Sequence, residues 1–99
     1  MSPLIRPLLE VCVQSSTDAS LAAEGGADRV ELCQAIELGG LTPSAGMISS
    51  TCASSTLPVI VLTRPRAGDF IYSSQEIDAV TRDLEQLKAL GAHGAAFGA

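Results

Sequence analysis

Pro58-Val59-Ile60-Val61-Leu62-Thr63, followed by Ser73-Ser74-Gln75-Glu76-Ile77 and, further on, Gly94-Ala95-Ala96-Phe97-Gly98, is the stretch that decides the fold. The first six residues are β-branched and almost uninterrupted in apolar character, as a strand buried on both faces is. Ser73-x-x-Glu76 is a capping box, a pair that closes orphan backbone N–H groups at a helix start. Behind it Ile77, Val80, Leu84, Leu87 and Leu90 recur at helical spacing and give one apolar face. Gly91 closes that helix, and the Gly94 to Gly98 run starts another strand. Strand, helix and strand in this order form a crossover unit, which sets the two strands parallel.

Upstream the same alternation repeats. Leu8 to Val13 and Asp28 to Cys33 read as strands. Between them Ser15 or Ser16 offers an N-cap, and Ser15-x-x-Asp18 predicts a second capping box. An Ala-rich helix follows and stops at Gly25-Gly26. After the second strand, Gly39-Gly40-Leu41-Thr42-Pro43-Ser44 leads into a helix with Met47, Ile48 and Cys52. Thr42 is its expected N-cap, with Pro43 at the first helical position, and it dissolves at Ser54-Ser55-Thr56. Gly26-Ala27-Asp28 and Gly91-Ala92-His93 echo each other 65 residues apart, each where a helix hands over to a strand. The order β-α-β-α-β-α-β predicts an α/β fold with a parallel sheet. Four strands and three helices neither cover both faces nor close a barrel. The expectation is therefore the N-terminal half of a TIM (β/α)8 barrel, truncated after the fourth strand, as one partial domain over residues 1–99. A whole barrel takes about 250 residues.

Composition limits the partners. Of 99 residues, 46% are hydrophobic and 17% charged, which argues for a packed core rather than disorder. Eleven acids against six bases leave a net charge of −5. That balance predicts no nucleic-acid partner and no anionic membrane surface. No apolar run approaches the roughly 18 residues needed to span a bilayer. Met1 to Pro7 lacks the basic and apolar regions of a signal peptide. Three cysteines without a CxxC pair fit a reducing, cytoplasmic setting rather than a disulfide framework.

In a parallel βα assembly, sites form at the carboxyl ends of the strands. Side chains alternate along a strand, so Glu10 and Cys12 share a face, as do Glu31 and Cys33. Their apolar neighbours must meet the helices. Both Glu-x-Cys pairs therefore point into the barrel, on strands roughly 4.8 Å apart. Arg64 and Arg66, just past the third strand, can supply positive charge, and Asp69 can orient them. Two readings stand. Glu10, Glu31 and Arg64 form either an internal salt-bridge network or an acid–base and anion-binding site. In the second case Glu10 and Glu31 are the catalytic candidates, and Arg64, Arg66 and Asp69 bind a small anionic substrate. The thiols also have two readings: Cys12 and Cys33 are small buried hydrophobes, or soft ligands suited to Cu(I). Cys52 lies away from this face. His93, at the amino end of the sheet, is poorly placed for catalysis or metal binding. The Gly39-Gly40 loop offers backbone N–H groups to an anion. Phe70 and Tyr72 either roof the site or pin their loop.

Three motifs together carry a resemblance. Gly26-Ala27-Asp28-Arg29-Val30-Glu31-Leu32-Cys33, then Gly39-Gly40-Leu41-Thr42-Pro43-Ser44, then Arg64-Pro65-Arg66-x-Gly68-Asp69-Phe70-x-Tyr72-Ser73 resemble the CutC copper-homeostasis family. Leu9-Glu10-Val11-Cys12-Val13 and Phe97-Gly98-Ala99 are similar as well, so the likeness runs from about Leu8 to Ala99. The resemblance implies a TIM-type barrel, a cytoplasmic location with the nucleus as a second compartment, and a self-associating protein linked to copper tolerance. It implies Cu(I) as cargo, held at Cys12 and Cys33, and it leaves enzymatic activity open. The family's loop usually reads Arg-Pro-Arg-Gly-Gly-Asp, whereas Ala67 precedes Gly68 here. The family's remaining strands, with their His- and Arg-bearing ends, would follow Ala99.

Overall fold

A computed structural model describes residues 6–98. Strand β1 (Glu10–Val13), helix α1 (Ser16–Glu24), β2 (Arg29–Leu32), α2 (Ala45–Ser54), β3 (Val59–Leu62), α3 (Ser74–Leu87) and β4 (Gly94–Ala96) follow in that order. A single 3₁₀ turn at Ile36–Leu38 lies between β2 and α2. The strands lie side by side as β1-β2-β3-β4, and all the pairings are parallel. The expected fold class stands.

Alternation along the strands builds the core. Val11 pairs with Val30 and Val30 with Val59, while Val13, Leu32 and Val61 form the next row. Val30, Leu32, Val59 and Val61 have no solvent exposure, and Val13 is nearly as buried. Ala19 of α1, Ile48 of α2 and Leu87 of α3 pack onto these rows. Each fully buried Val or Leu contributes about 1.5–3 kcal/mol of transfer free energy, so the helix-covered face is the main source of stability.

The helix ends explain the repeated tripeptide. Gly26 and Gly91 take φ of 93° and 95°, which L side chains rarely adopt. Ala27 N–H donates to Ala22 O and Ala92 N–H to Leu87 O, so each glycine closes a Schellman motif. The next residue then ties the incoming strand to its neighbour through backbone and side chain. Asp28 N–H donates to Leu9 O while Leu9 N–H donates to Asp28 Oδ2 at 2.7 Å. His93 N–H donates to Val59 O while Val59 N–H donates to His93 Nδ1 at 3.1 Å. A carboxylate oxygen and an imidazole nitrogen thus do the same work in the two halves. His93 sits at the amino end of the sheet, as expected.

Three local expectations need correction. Ser44, not Thr42, caps α2, accepting from Met47 N–H. Thr42 is taken by β3's far end: its hydroxyl accepts from Arg64 N–H at 2.8 Å and donates to Arg64 O. The second capping box is half formed. Ser15 accepts from Asp18 N–H, but the Asp18 carboxylate reaches past Ser15 to Gln14 N–H. On α3 the capping box is complete, and Val80 and Leu87 are buried, yet Ile77 and Leu84 stay about two-fifths exposed. Leu84 instead borders a depression of about 360 Å³ between α3 and β4, with Leu87, Lys88, Ala92 and Gly94. A barrel helix packs between two neighbours, and α3 has one among the described residues.

Candidate functional site

The face of the sheet opposite the helices carries the chemistry. Its residues are Glu10 and Cys12 on β1, Arg29 and Glu31 on β2 with Cys33 just past its end, Ile60 and Leu62 on β3, and Ala96 on β4. The register sets Glu10 beside Arg29 and Cys12 beside Glu31. The β1–β2 side is therefore acidic and sulfur-bearing, whereas the β3–β4 side is apolar. Arg29 Nε donates to Glu10 Oε2 in an ion pair that remains partly exposed. Arg29 is a site residue the sequence reading passed over. The signal was present, because Arg29, Glu31 and Cys33 alternate along one strand.

The charges on this face oppose one another. Burial, and then the neighbouring Glu10 carboxylate, push the Glu31 carboxyl up, with Arg29 pulling the other way. Partial loss of solvent beside the neighbouring strand raises the Cys12 thiol, and Glu31 and Glu10 raise it further. Cys33 is raised by burial, then by Cys12 and Glu31. These groups are close enough to sense one another, and each favours the neutral form of the next. An added cation would relieve all of them.

Cys12 is exposed and Cys33 is buried. Cys33 lies diagonal to Cys12, two residues beyond Glu31, which sets the Cα atoms about 8 Å apart from strand spacing and rise. That is too far for a disulfide without backbone movement. Among the described residues no three His, Cys, Asp or Glu side chains gather into a metal-holding group. The donor set on offer is two thiols flanked by carboxylates, and that chemistry suits a soft monovalent ion with few ligands.

The arginines are differently employed. Arg64 Nη1 donates to Leu38 O and Gly40 O, and Nη2 to Gly68 O. Its guanidinium lies 5.1 Å from the centre of the Phe70 ring, and its buried Nε–H has no partner. Arg66 pairs with Glu76 and with Asp69, and donates to Ala67 O, Asp69 O and Ile71 O. It also stacks 5.1 Å from the Tyr72 ring centre. Asp69 additionally accepts from Ile71 N–H. These three residues hold the β3–α3 loop in shape, and Arg64 and Arg66 do not meet Glu10 and Glu31 in any hydrogen bond or ion pair of the described residues. Phe70 and Tyr72 pack edge to face, and Tyr72 leans on Phe97, so the aromatics pin the loop to β4's end. The Gly39-Gly40 loop holds no anion through its backbone: Gly39, Gly40, Leu41 and Thr42 N–H groups all donate to carbonyls. Cys52 packs against the core.

Parallel strands covered by helices on one face, with a thiol- and carboxylate-lined face on the other, define the leading half of a TIM-type βα barrel. The chain belongs to the CutC family, whose family model matches residues 7–99. It is 48% identical over 90 residues to a family protein CutC of Porphyromonas gingivalis, covering 91% of this chain and 36% of that one. It is likewise 48% identical over 92 residues to the human copper homeostasis protein cutC homolog, covering 93% and 34%. A crystal structure assigned to the CutC copper homeostasis proteins, from Streptococcus agalactiae, superposes with a TM-score of 0.84 at 30% identity, over 94% of this chain and 46% of that one. The chain thus spans about a third of the length of these curated relatives. No helix among the described residues is long and apolar enough to cross a membrane.

Proposed function

We propose that this chain serves copper homeostasis by holding Cu(I) between Cys12 and Cys33 at the carboxyl ends of β1 and β2. The observation that supports this reading is the shared face: two thiols and two carboxylates stand on adjacent strands, where burial and neighbouring acids hold Cys12, Cys33 and Glu31 toward their protonated forms until a cation replaces the protons. Thiolates are the ligands that select Cu(I), and Glu31 and Glu10 add negative potential around them. Ion binding couples to loss of the thiol protons. The work is placed in the cytoplasm, with a nuclear pool, where thiols stay reduced. In this proposal copper is the cargo and the protein self-associates. The test is a Cu(I) titration against a strong competing chelator. The affinity is expected to collapse in the Cys12→Ser, Cys33→Ser double variant, and full affinity in that variant would end the assignment.

A second reading is favoured by one observation. Glu10 is ion-paired with Arg29 while Glu31 is pushed toward its neutral form, and a carboxyl pair in unlike environments can act as base and acid. The function would then be an enzyme acting on a small anionic substrate, with Arg64, Arg66 and Asp69 reoriented onto it. A crystal of a longer family chain grown with phosphate distinguishes the two. Phosphate on Arg64 and Arg66 beside the glutamates supports the enzyme; an unchanged arginine network speaks against it.

A further inference from the structure

We infer that the β2–α2 loop, residues 34–41, is a lid over Cys33 and that Arg64 is the latch holding it shut. The loop is a closed unit: Gln34 and Leu41 exchange both backbone hydrogen bonds, at 3.0 and 2.7 Å. Its underside rests on the thiol. A Cβ added to Gly40 would lie 3.6 Å from Cys33 Cβ, 3.7 Å from its Sγ and 2.8 Å from Leu62 Cδ2, so bare backbone covers the sulfur. Cys33 is accordingly 2% exposed, while Cys12 on the adjacent strand is open.

The latch is one guanidinium. Arg64 gathers the carbonyls of Leu38 and Gly40 in the lid and of Gly68 in the β3–α3 loop. A planar fork can serve acceptors in several directions at once, whereas an ammonium is a point charge on a flexible stem. Gln14 adds a weaker tie, its Oε1 accepting from Ile36 N–H at 3.3 Å. The lid is also under tension. Ala35, at its base, holds φ of 52°, a left-handed conformation that costs energy in a residue with a Cβ. Opening relieves that residue and exposes Cys33 to a soft cation or to an electrophile. The lid adds regulation to the thiol site proposed above, but it is tested without copper, so the two can fail separately.

The experiment is timed alkylation of the folded chain with iodoacetamide, followed by cleavage at glutamate so that Cys12, Cys33 and Cys52 fall in separate peptides. Cys12 is expected to react about tenfold faster than Cys33 or more. Arg64→Ala is expected to speed Cys33 by about tenfold, equivalent to about 1.4 kcal/mol of lost latch, with Cys12 unchanged. Arg64→Lys should fall between. Electrostatics alone gives the opposite sign, because removing a positive charge disfavours the reactive thiolate. An unchanged or slower Cys33 in Arg64→Ala, or equal rates at Cys12 and Cys33 in the unaltered chain, would overturn the lid. If Arg64→Ala speeds all the cysteines alike, amide exchange in the unaltered chain decides. Gly40 and Leu41 exchanging well before Val30 and Leu32 supports a local opening; exchange together with them overturns it.

Discussion

Asp28 ties together the starts of two strands and the chain leading into the first. Its carboxylate accepts from Leu9 N–H and pairs with Arg6 through both oxygens. The Arg6 guanidinium and the Leu9 N–H hold its carboxyl down at about 2, against an ordinary value of 3.8. Between those values the unfolded chain binds the proton more readily than the folded one. The contribution is therefore complete above about pH 4 and is lost as pH falls toward 2. Asp28→Asn should lower the melting temperature at pH 6 and flatten its fall between pH 4 and 2; an unchanged acid limb would contradict this. Arg64 and Arg66 mark the limit of reading residues singly. A sequence places an arginine near a strand end, but backbone carbonyls are not written in it. The Arg64 guanidinium goes to loop carbonyls that no motif announces, whereas Arg66 is shared between loop carbonyls and the carboxylates of Asp69, as expected, and Glu76.

At the scale of elements, α3 is the best-determined piece because cap, periodicity and stop signal agree. Ser73 accepts from Glu76 N–H, and the Glu76 side chain accepts from Ser73 N–H. Ser73→Ala should cost about 1 kcal/mol, read as a lower urea midpoint at unchanged slope. A change within a few tenths would mean the cap contributes nothing. β3 was equally legible from its β-branched run. The α2 start was not. Thr42-Pro43 has the form of a cap and first helical residue, but the Thr42 hydroxyl is drawn to the Arg64 backbone 22 positions away. Tertiary demand then passes the cap to Ser44. Strand alternation foretold which residues share a face with Glu10 and Cys12. It was not applied to Arg29, whose pairing with Glu10 sets the site's charge balance.

At the scale of the molecule, a four-stranded parallel sheet carries helices on one face only. Among the described residues β1 and β4 each have an unpaired edge, and Ile60 and Leu62 lie on the helix-free side. Parallel sheets are stable when both faces are covered or the sheet closes. Open edges are templates for further pairing. The 99-residue chain on its own is therefore expected to self-associate on size-exclusion chromatography and to unfold in a transition whose midpoint rises with chain concentration, as an associated chain's does. A cooperative thermal transition of a monomer would contradict that expectation. In longer family members, the same edges are where further strands would add.

The claim on which the rest depends is that Cys12 and Cys33 act together on one ion. Copper-edge X-ray absorption of the chain loaded with one equivalent of Cu(I) tests it most directly. The account predicts two sulfur scatterers, falling to one in either Cys12→Ser or Cys33→Ser. A first shell of only nitrogen and oxygen, or one unchanged by both substitutions, would contradict it.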